Sequence, residues 1–148
     1  MPQIIETHRN GFTISTDPKR LNMDAICDLL SNAYWTKGRT RFHYENAVNH
    51  SLVFGMYENE KQIGVARVVS DYTIFAYLLD VFIHEDYRGH GLGTWLIETI
   101  LTHPDLATVR RWMLTTDDAH ALYQKLDFTL LDHPQNWMHR LRPLSGEA

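Results

Sequence analysis

Between Thr73 and Ile83 the chain carries a long run of aromatic, β-branched and other apolar residues, interrupted by one carboxylate, Asp80. Both faces of that run are apolar, as in a central strand covered by helices. It leaves through His84-Glu85-Asp86-Tyr87 into Arg88-Gly89-His90-Gly91-Leu92-Gly93. Gly91 to Thr102 then reads as an amphipathic helix carrying Leu92, Trp95, Leu96, Ile100 and Leu101, ended by His103-Pro104. A buried strand, a glycine-punctuated loop and a helix in that order make an anion site. The glycines admit backbone angles closed to other residues, and the first amides of the helix lack internal partners. The helix dipole adds to the attraction.

A glycine triplet can also be no more than a flexible turn, so its context matters. No lysine follows the glycines as a Walker A loop requires. A dinucleotide fingerprint, Gly-x-Gly-x-x-Gly after the first strand of a βαβ unit, is likewise absent.

Around this junction the pattern alternates strands and helices. Phe12 to Ser15 is a short strand, and Asp17-Pro18 turns the chain into a helix bearing Leu21, Ile26, Leu29, Leu30 and Ala33 that ends near Tyr34-Trp35. A basic loop, 36–41, leads to a polar helix from Phe42 to Asn49. Leu52 to Tyr57 and Gln62 to Val69 form a hairpin around Glu58-Asn59-Glu60-Lys61. After the glycine loop and its helix, Trp112 to Thr115 is a strand. Asp117 or Asp118 caps a helix through Leu122 and Leu126, and Phe128 to Leu131 and Trp137 to Leu141 are closing strands. The order βααβββαβαββ describes a mixed α+β sheet, and 148 residues fit one domain over 1–148.

Composition narrows the chemistry. A hydrophobic content of 44% with 22% charged residues suits a soluble domain, and no apolar run is long enough to span a bilayer. With no signal-peptide pattern at Met1-Pro2-Gln3, the expected location is cytoplasmic, without a membrane partner. A net charge of −4 opposes nucleic-acid binding. The nine histidines show no HExxH-like spacing, so no metal site is expected. The single cysteine, Cys27, lies at helical spacing with Met23, Ile26 and Leu30 and reads as core.

The stretch Asp80 to Gly93 resembles the acetyl-CoA motif of the GNAT acyltransferases, whose signature Arg/Gln-x-x-Gly-x-Gly/Ala is matched by Arg88, Gly91 and Gly93. A second GNAT segment, ending Leu-Tyr-x-Lys-x-Gly-Phe, is approached by Leu122-Tyr123-Gln124-Lys125-Leu126-Asp127-Phe128. Asp127 stands where glycine is frequent, and Asp tolerates a left-handed turn. Thr116 stands where an asparagine often meets the pantetheine arm.

The resemblance implies an acyl-CoA N-acyltransferase fold: a mostly antiparallel sheet of about seven strands with a splayed strand pair, flanked by four helices. It implies acetyl-CoA as co-substrate, bound by Val81, Phe82 and Ile83 along pantetheine and by Arg88, Gly89, His90, Gly91, Leu92, Gly93 and Thr94 at the pyrophosphate, with Thr116 and Lys125 also in contact. Amides around Phe82 would stabilise the oxyanion, and Tyr123 would be the general acid. The family's polyamine acetyltransferases carry a glutamate base where this chain has Leu79, so the base is open among Asp80, Glu85, His84 and water; alternation along a strand points Asp80 away from that position. Tyr34, Trp35, Arg41, Tyr44 and Tyr77 are the candidate acceptor residues, the loop arginines suiting a carboxylate or phosphate.

The activity expected is direct acetyl transfer to a primary amine of a small molecule. The alternative is a non-catalytic acyl-CoA-binding sensor or interaction module. A homodimer is plausible if Trp137 to Leu141 forms a sheet edge.

Overall fold

Asn10 and Gly11 both have positive φ, 51° and 86°, the left-handed pair that a two-residue hairpin turn requires. Their turn joins β1 (Glu6–Arg9) to β2 (Phe12–Ser15), an antiparallel pair of which sequence reasoning found only the second strand. The computed structural model describes residues 2–145, which form two compact units, 2–114 and 115–145.

In the first unit, Asn22 caps α1 (Met23–Ser31) by accepting from the Ala25 N–H at 3.0 Å. Asp17-Pro18 starts only a 3₁₀ turn, Pro18–Arg20. The helix stops before the expected Tyr34-Trp35, which lie in a separate 3₁₀ turn, Tyr34–Thr36. There the Thr36 hydroxyl lies within donating distance of the Leu30 and Ala33 carbonyls and ties the turn to the helix end. α2 (Arg41–Asn49) opens with Thr40 and His43 capping each other. Ile26, Leu29 and Leu30 of α1 and Tyr44 of α2 pack on Val53 and Val65 of the sheet, with Cys27 beside them.

The remaining strands are β3 (Leu52–Glu58), β4 (Lys61–Ser70), β5 (Phe75–Ile83) and β6 (Arg111–Met113), with α3 (Leu92–Leu101) between the last two. The sheet runs in order β1 to β6, antiparallel except for the parallel pair β5–β6. Such a pair needs a crossover, and α3 supplies it. Among the described residues the sheet has six strands, against the expected seven, in a mixed α/β fold whose four helices are α1 to α3 in this unit and one in the second.

Gly55 is required where it stands, because Tyr57 lies across it: a Cβ at Gly55 would sit 2.3 Å from the Tyr57 Oη. That hydroxyl is buried without a hydrogen-bond partner among the described residues, and burial pushes Tyr57 up to about 12. Gly55→Ala is expected to lower stability by about 1–3 kcal/mol through overpacking. Thermal unfolding would check this; an unchanged melting temperature would mean Tyr57 moves aside freely.

The second unit contains α4 (His120–Gln124) and a 3₁₀ turn, Pro134–Asn136. Phe128 to Leu131 and Trp137 to Leu141, expected as strands, enter no ladder. Leu130, Met138 and Leu141 are exposed, and a pattern of β-forming residues makes a strand only where a partner meets its main chain. The sheet-edge premise for a homodimer therefore falls away.

Candidate functional site

Gly89 and Gly91 have φ of 83° and 76°, and Gly91 is the residue from which α3 starts. A side chain there would meet no protein atom within 4 Å, so the glycines are demanded by backbone conformation. The Gly91 carbonyl accepts from Trp95 N–H at 3.1 Å, which leaves the amides of Leu92, Gly93 and Thr94 as open donors at the helix mouth. Arg88, Gly89, His90 and Gly91 are exposed beside it. Tyr87 ties the loop to the sheet: its hydroxyl donates to Glu58 Oε1 at 2.8 Å, and its ring meets Phe12 edge-on. That hydrogen bond to a carboxylate holds the Tyr87 phenol above its ordinary range. The arrangement presents several amides to an anion on a braced loop.

β5 leads into this loop with one edge open. Its pairing with β6 stops at Tyr77 and Met113, while β5 continues to Ile83. On the other edge His84 N–H donates to Ile63 O at 2.8 Å, with Ile83 opposite Gly64 and Phe82 opposite Val65. In an antiparallel ladder this register turns the main chain of Phe82 toward β4 and that of Ile83 toward the open edge. Of the expected pantetheine-pairing residues, Phe82 thus has its peptide groups directed at β4. The Ile83 carbonyl already has an occupant, since Arg88 Nε donates to it at 2.9 Å while the guanidinium lies 4.8 Å over the Phe82 ring.

The β4–β5 register slips next to these residues. Leu79 to Phe82 spans three steps against two from Val65 to Arg67, a bulge within which Asp80 takes φ 53°. Simple alternation therefore does not apply to Asp80. Its side chain is 2% exposed and accepts from Arg67 Nε at 2.6 Å, from Arg39 Nη1 at 2.9 and 3.0 Å, and from Trp35 Nε1 at 2.8 Å. Burial raises its pKa, but the charge and hydrogen bond of Arg67, with Arg39 and Trp35, more than offset this and hold it below the usual carboxylate value. A carboxylate so held is a poor proton acceptor near neutral pH.

Among the candidate acceptor residues, Tyr34 and Trp35 form an exposed edge-to-face pair, and Trp35 also meets Phe82 at 6.3 Å. Tyr77 is half-buried opposite Val69. Two expectations are corrected. Tyr44 is a core residue, 6% exposed, because it completes the packing of α1 and α2 on the sheet. Arg41 pairs on the surface with Asp24 of α1 at 2.6 Å and with Glu45, one turn away on its own helix, at 3.6 Å. The arginines that reach Asp80 are Arg39 and Arg67. Arg67 had given no sign, since an arginine in a β-rich run looks like an outward position. The signal available was Asp80 itself, an acidic residue in an apolar strand that demands counter-charges.

In the second unit Tyr123 is buried, with its ring 5.6 Å from Phe128. α4 ends in a closure in which Phe128 N–H reaches the Tyr123 carbonyl and Asp127 N–H the Gln124 carbonyl. Asp127 takes φ 67°, the left-handed turn expected of it in place of glycine. The N-cap of α4 is Ala119, where Asp117 or Asp118 was expected, and Thr116 Oγ1 accepts from the Ala119 N–H at 3.0 Å. Lys125 is exposed at the helix end. Among the described residues no cluster of three or more His, Cys, Asp or Glu side chains is placed to hold a metal, and no helix is long and apolar enough to cross a membrane.

The family model for GNAT acetyltransferases matches residues 23–128, a span that contains the bulged strand, the glycine loop and α4. A putative acetyltransferase of Gibberella zeae is 30% identical over 142 residues, covering 80% of this chain and 79% of that protein. The crystal structure of a putative GNAT-family acetyltransferase from Xanthomonas campestris superposes with a TM-score of 0.86 at 38% identity, covering 92% of this chain and 96% of that one. Glucosamine-6-phosphate N-acetyltransferase from Arabidopsis thaliana shares the fold, with a TM-score of 0.65 at 14% identity. Since the family model spans more than half of the chain and includes β5, the glycine loop and α3, this protein belongs to the GNAT acetyltransferase family.

Proposed function

We propose that the protein transfers an acetyl group from acetyl-CoA to the primary amine of a small molecule by direct attack, with both substrates bound together. The observation that carries the reading is the open row of amides at the mouth of α3, led by two glycines with positive φ and flanked by the free edge of β5. These features fit the co-substrate: the amides of Leu92, Gly93 and Thr94 suit its pyrophosphate, and the outward main chain of Ile83 suits the pantetheine arm. Arg88, His90 and Lys125 add donors or charge, and Val81 lies beside Ile83 on the same strand. Pairing with Ile83 requires Arg88 to release that carbonyl, which frees its guanidinium for a phosphate.

Bound acetyl-CoA supplies an acyl group activated as a thioester. An outward N–H of β5 polarises its carbonyl, a role better suited to Ile83 than to Phe82. Tyr123 donates its phenolic proton to the departing sulfur, and the proton shed by the attacking nitrogen restores it by way of water. Asp80 is not the base, because its charge is committed to Arg67 and Arg39. Glu85 and His84 lie on the loop after β5, where His84 Nδ1 accepts from the Asp86 N–H at 3.1 Å. With no carboxylate at Leu79, water is the proton acceptor of this reading.

Gly91→Val tests the site. A β-branched residue is strained at φ 76°, and the loop should abandon the conformation that aims its amides. Coenzyme A affinity by calorimetry is expected to fall by at least about tenfold, the equivalent of one charge-assisted hydrogen bond. Wild-type protein that takes up no coenzyme A, or a Gly91→Val variant that binds it unchanged, would overturn the assignment.

A further inference from the structure

The cluster around Asp80 is not balanced. Two guanidiniums, Arg39 and Arg67, converge on one carboxylate, so two positive charges meet one negative and the group carries one excess positive charge. No second carboxylate reaches either arginine among the described residues; Asp24 of α1 and Glu45 of α2 are engaged by Arg41. Both arginines are largely buried, at 22% and 13% side-chain exposure, where an uncompensated charge is costly. Neither is fully bonded. Arg67 spends Nε on Asp80 and Nη1 on Ser51, and Arg39 spends Nη1 on Asp80; Nη2 of both, and Nε of Arg39, have no acceptor among the described residues.

The cluster's position relates it to the reaction. Trp35 donates to the same Asp80 oxygen as Arg39 and packs against Phe82, whose other neighbour is Arg88 of the glycine loop. A continuous row of contacts, Arg88–Phe82–Trp35–Asp80, thus runs from the loop proposed to hold coenzyme A to the excess charge. The exposed rings of Tyr34 and Trp35 stand at its side.

We propose that Arg39 and Arg67, pre-oriented by Asp80, form an acceptor subsite for an anionic group, so that the preferred substrates are amines bearing a carboxylate or a phosphate. This rests on the acyl-transfer reading. Asp80 serves as a positioning residue: it holds Nε of Arg67 and Nη1 of Arg39, and it leaves Nη2 of both and Nε of Arg39 to the substrate, where the planar Nε–Nη2 fork of Arg39 matches an oxyanion.

The test uses the whole protein, acetyl-CoA and matched acceptors that differ only in charge: an amino acid against its amide, and an amino sugar phosphate against the unphosphorylated sugar. The anionic member of at least one pair is expected to have a kcat/KM about tenfold or more higher, the scale of a charge-assisted hydrogen bond. Whichever pair shows the larger ratio distinguishes carboxylate from phosphate. In R39Q that ratio should fall toward unity, and R39K should retain part of it. In parallel, sodium acetate and inorganic phosphate are titrated while the side-chain Nε–H resonances of Arg39 and Arg67 are followed by NMR, which needs neither turnover nor a variant. Saturable shifts of these two arginines, with Arg88 of the coenzyme loop the only other arginine allowed to respond, support the subsite. Turnover with the neutral amines equal or preferred overturns it, and so does an absence of shifts. Absence of turnover with every amine sinks the acyl-transfer reading instead, and the anion titration then decides the subsite alone.

Discussion

Asp80→Asn is expected to destabilise the protein by about 3 kcal/mol, because it leaves two largely buried guanidiniums without their counter-charge. Against the 5–15 kcal/mol typical of a domain this is a large fraction, and it should lower the melting temperature by roughly 10 °C. The effect carries a pH signature whose sign follows from the lowered pKa of Asp80. A carboxylate whose folded value lies below its unfolded value, about 3.9, contributes stability that is present above that value. The contribution is lost as pH falls through the folded value. The gap between wild type and Asp80→Asn should therefore be constant from about pH 5 to pH 8 and close below about pH 4. Denaturant unfolding across that range measures it. A gap that persists unchanged to pH 2 would show that the cluster acts through shape rather than charge.

Tyr123→Phe is expected to reduce kcat by about a hundredfold or more, the usual contribution of a positioned acid, with coenzyme A affinity retained. A leaving thiol that departs well without a proton needs the phenol less. The loss should therefore shrink when the acyl donor is an aryl thioester instead of acetyl-CoA. Equal losses with both donors would assign Tyr123 to packing, a role its burial against Phe128 also suits.

Local signals carried much of the fold. The strand from Phe75 to Ile83, the glycine turn and α3 were legible because each is specified by neighbours in sequence: a doubly apolar run, residues free of a Cβ, and a 3.6-residue apolar period. Asp127 was legible for the same reason, as a residue tolerant of the left-handed turn. β1 was missed although Asn10-Gly11 announced it, because Glu6–Arg9 is polar and its alternation says little without a partner. The closing strands were misread in the opposite direction: Trp137 to Leu141 has strand-forming residues but enters no ladder.

The candidate site divides along the same line. By itself the sequence determined the glycine loop, its helix start and the family, because backbone freedom at Gly89 and Gly91 and unpaired amides at a helix start are properties of consecutive residues. Only the tertiary structure decided what surrounds Asp80. One extra residue in β5 breaks the alternation on which a strand reading depends, and its partners arrive from two distant segments, Trp35 and Arg39 from the stretch before α2 and Arg67 from β4. A buried charge announces that it needs partners, but the chain's path through space selects them.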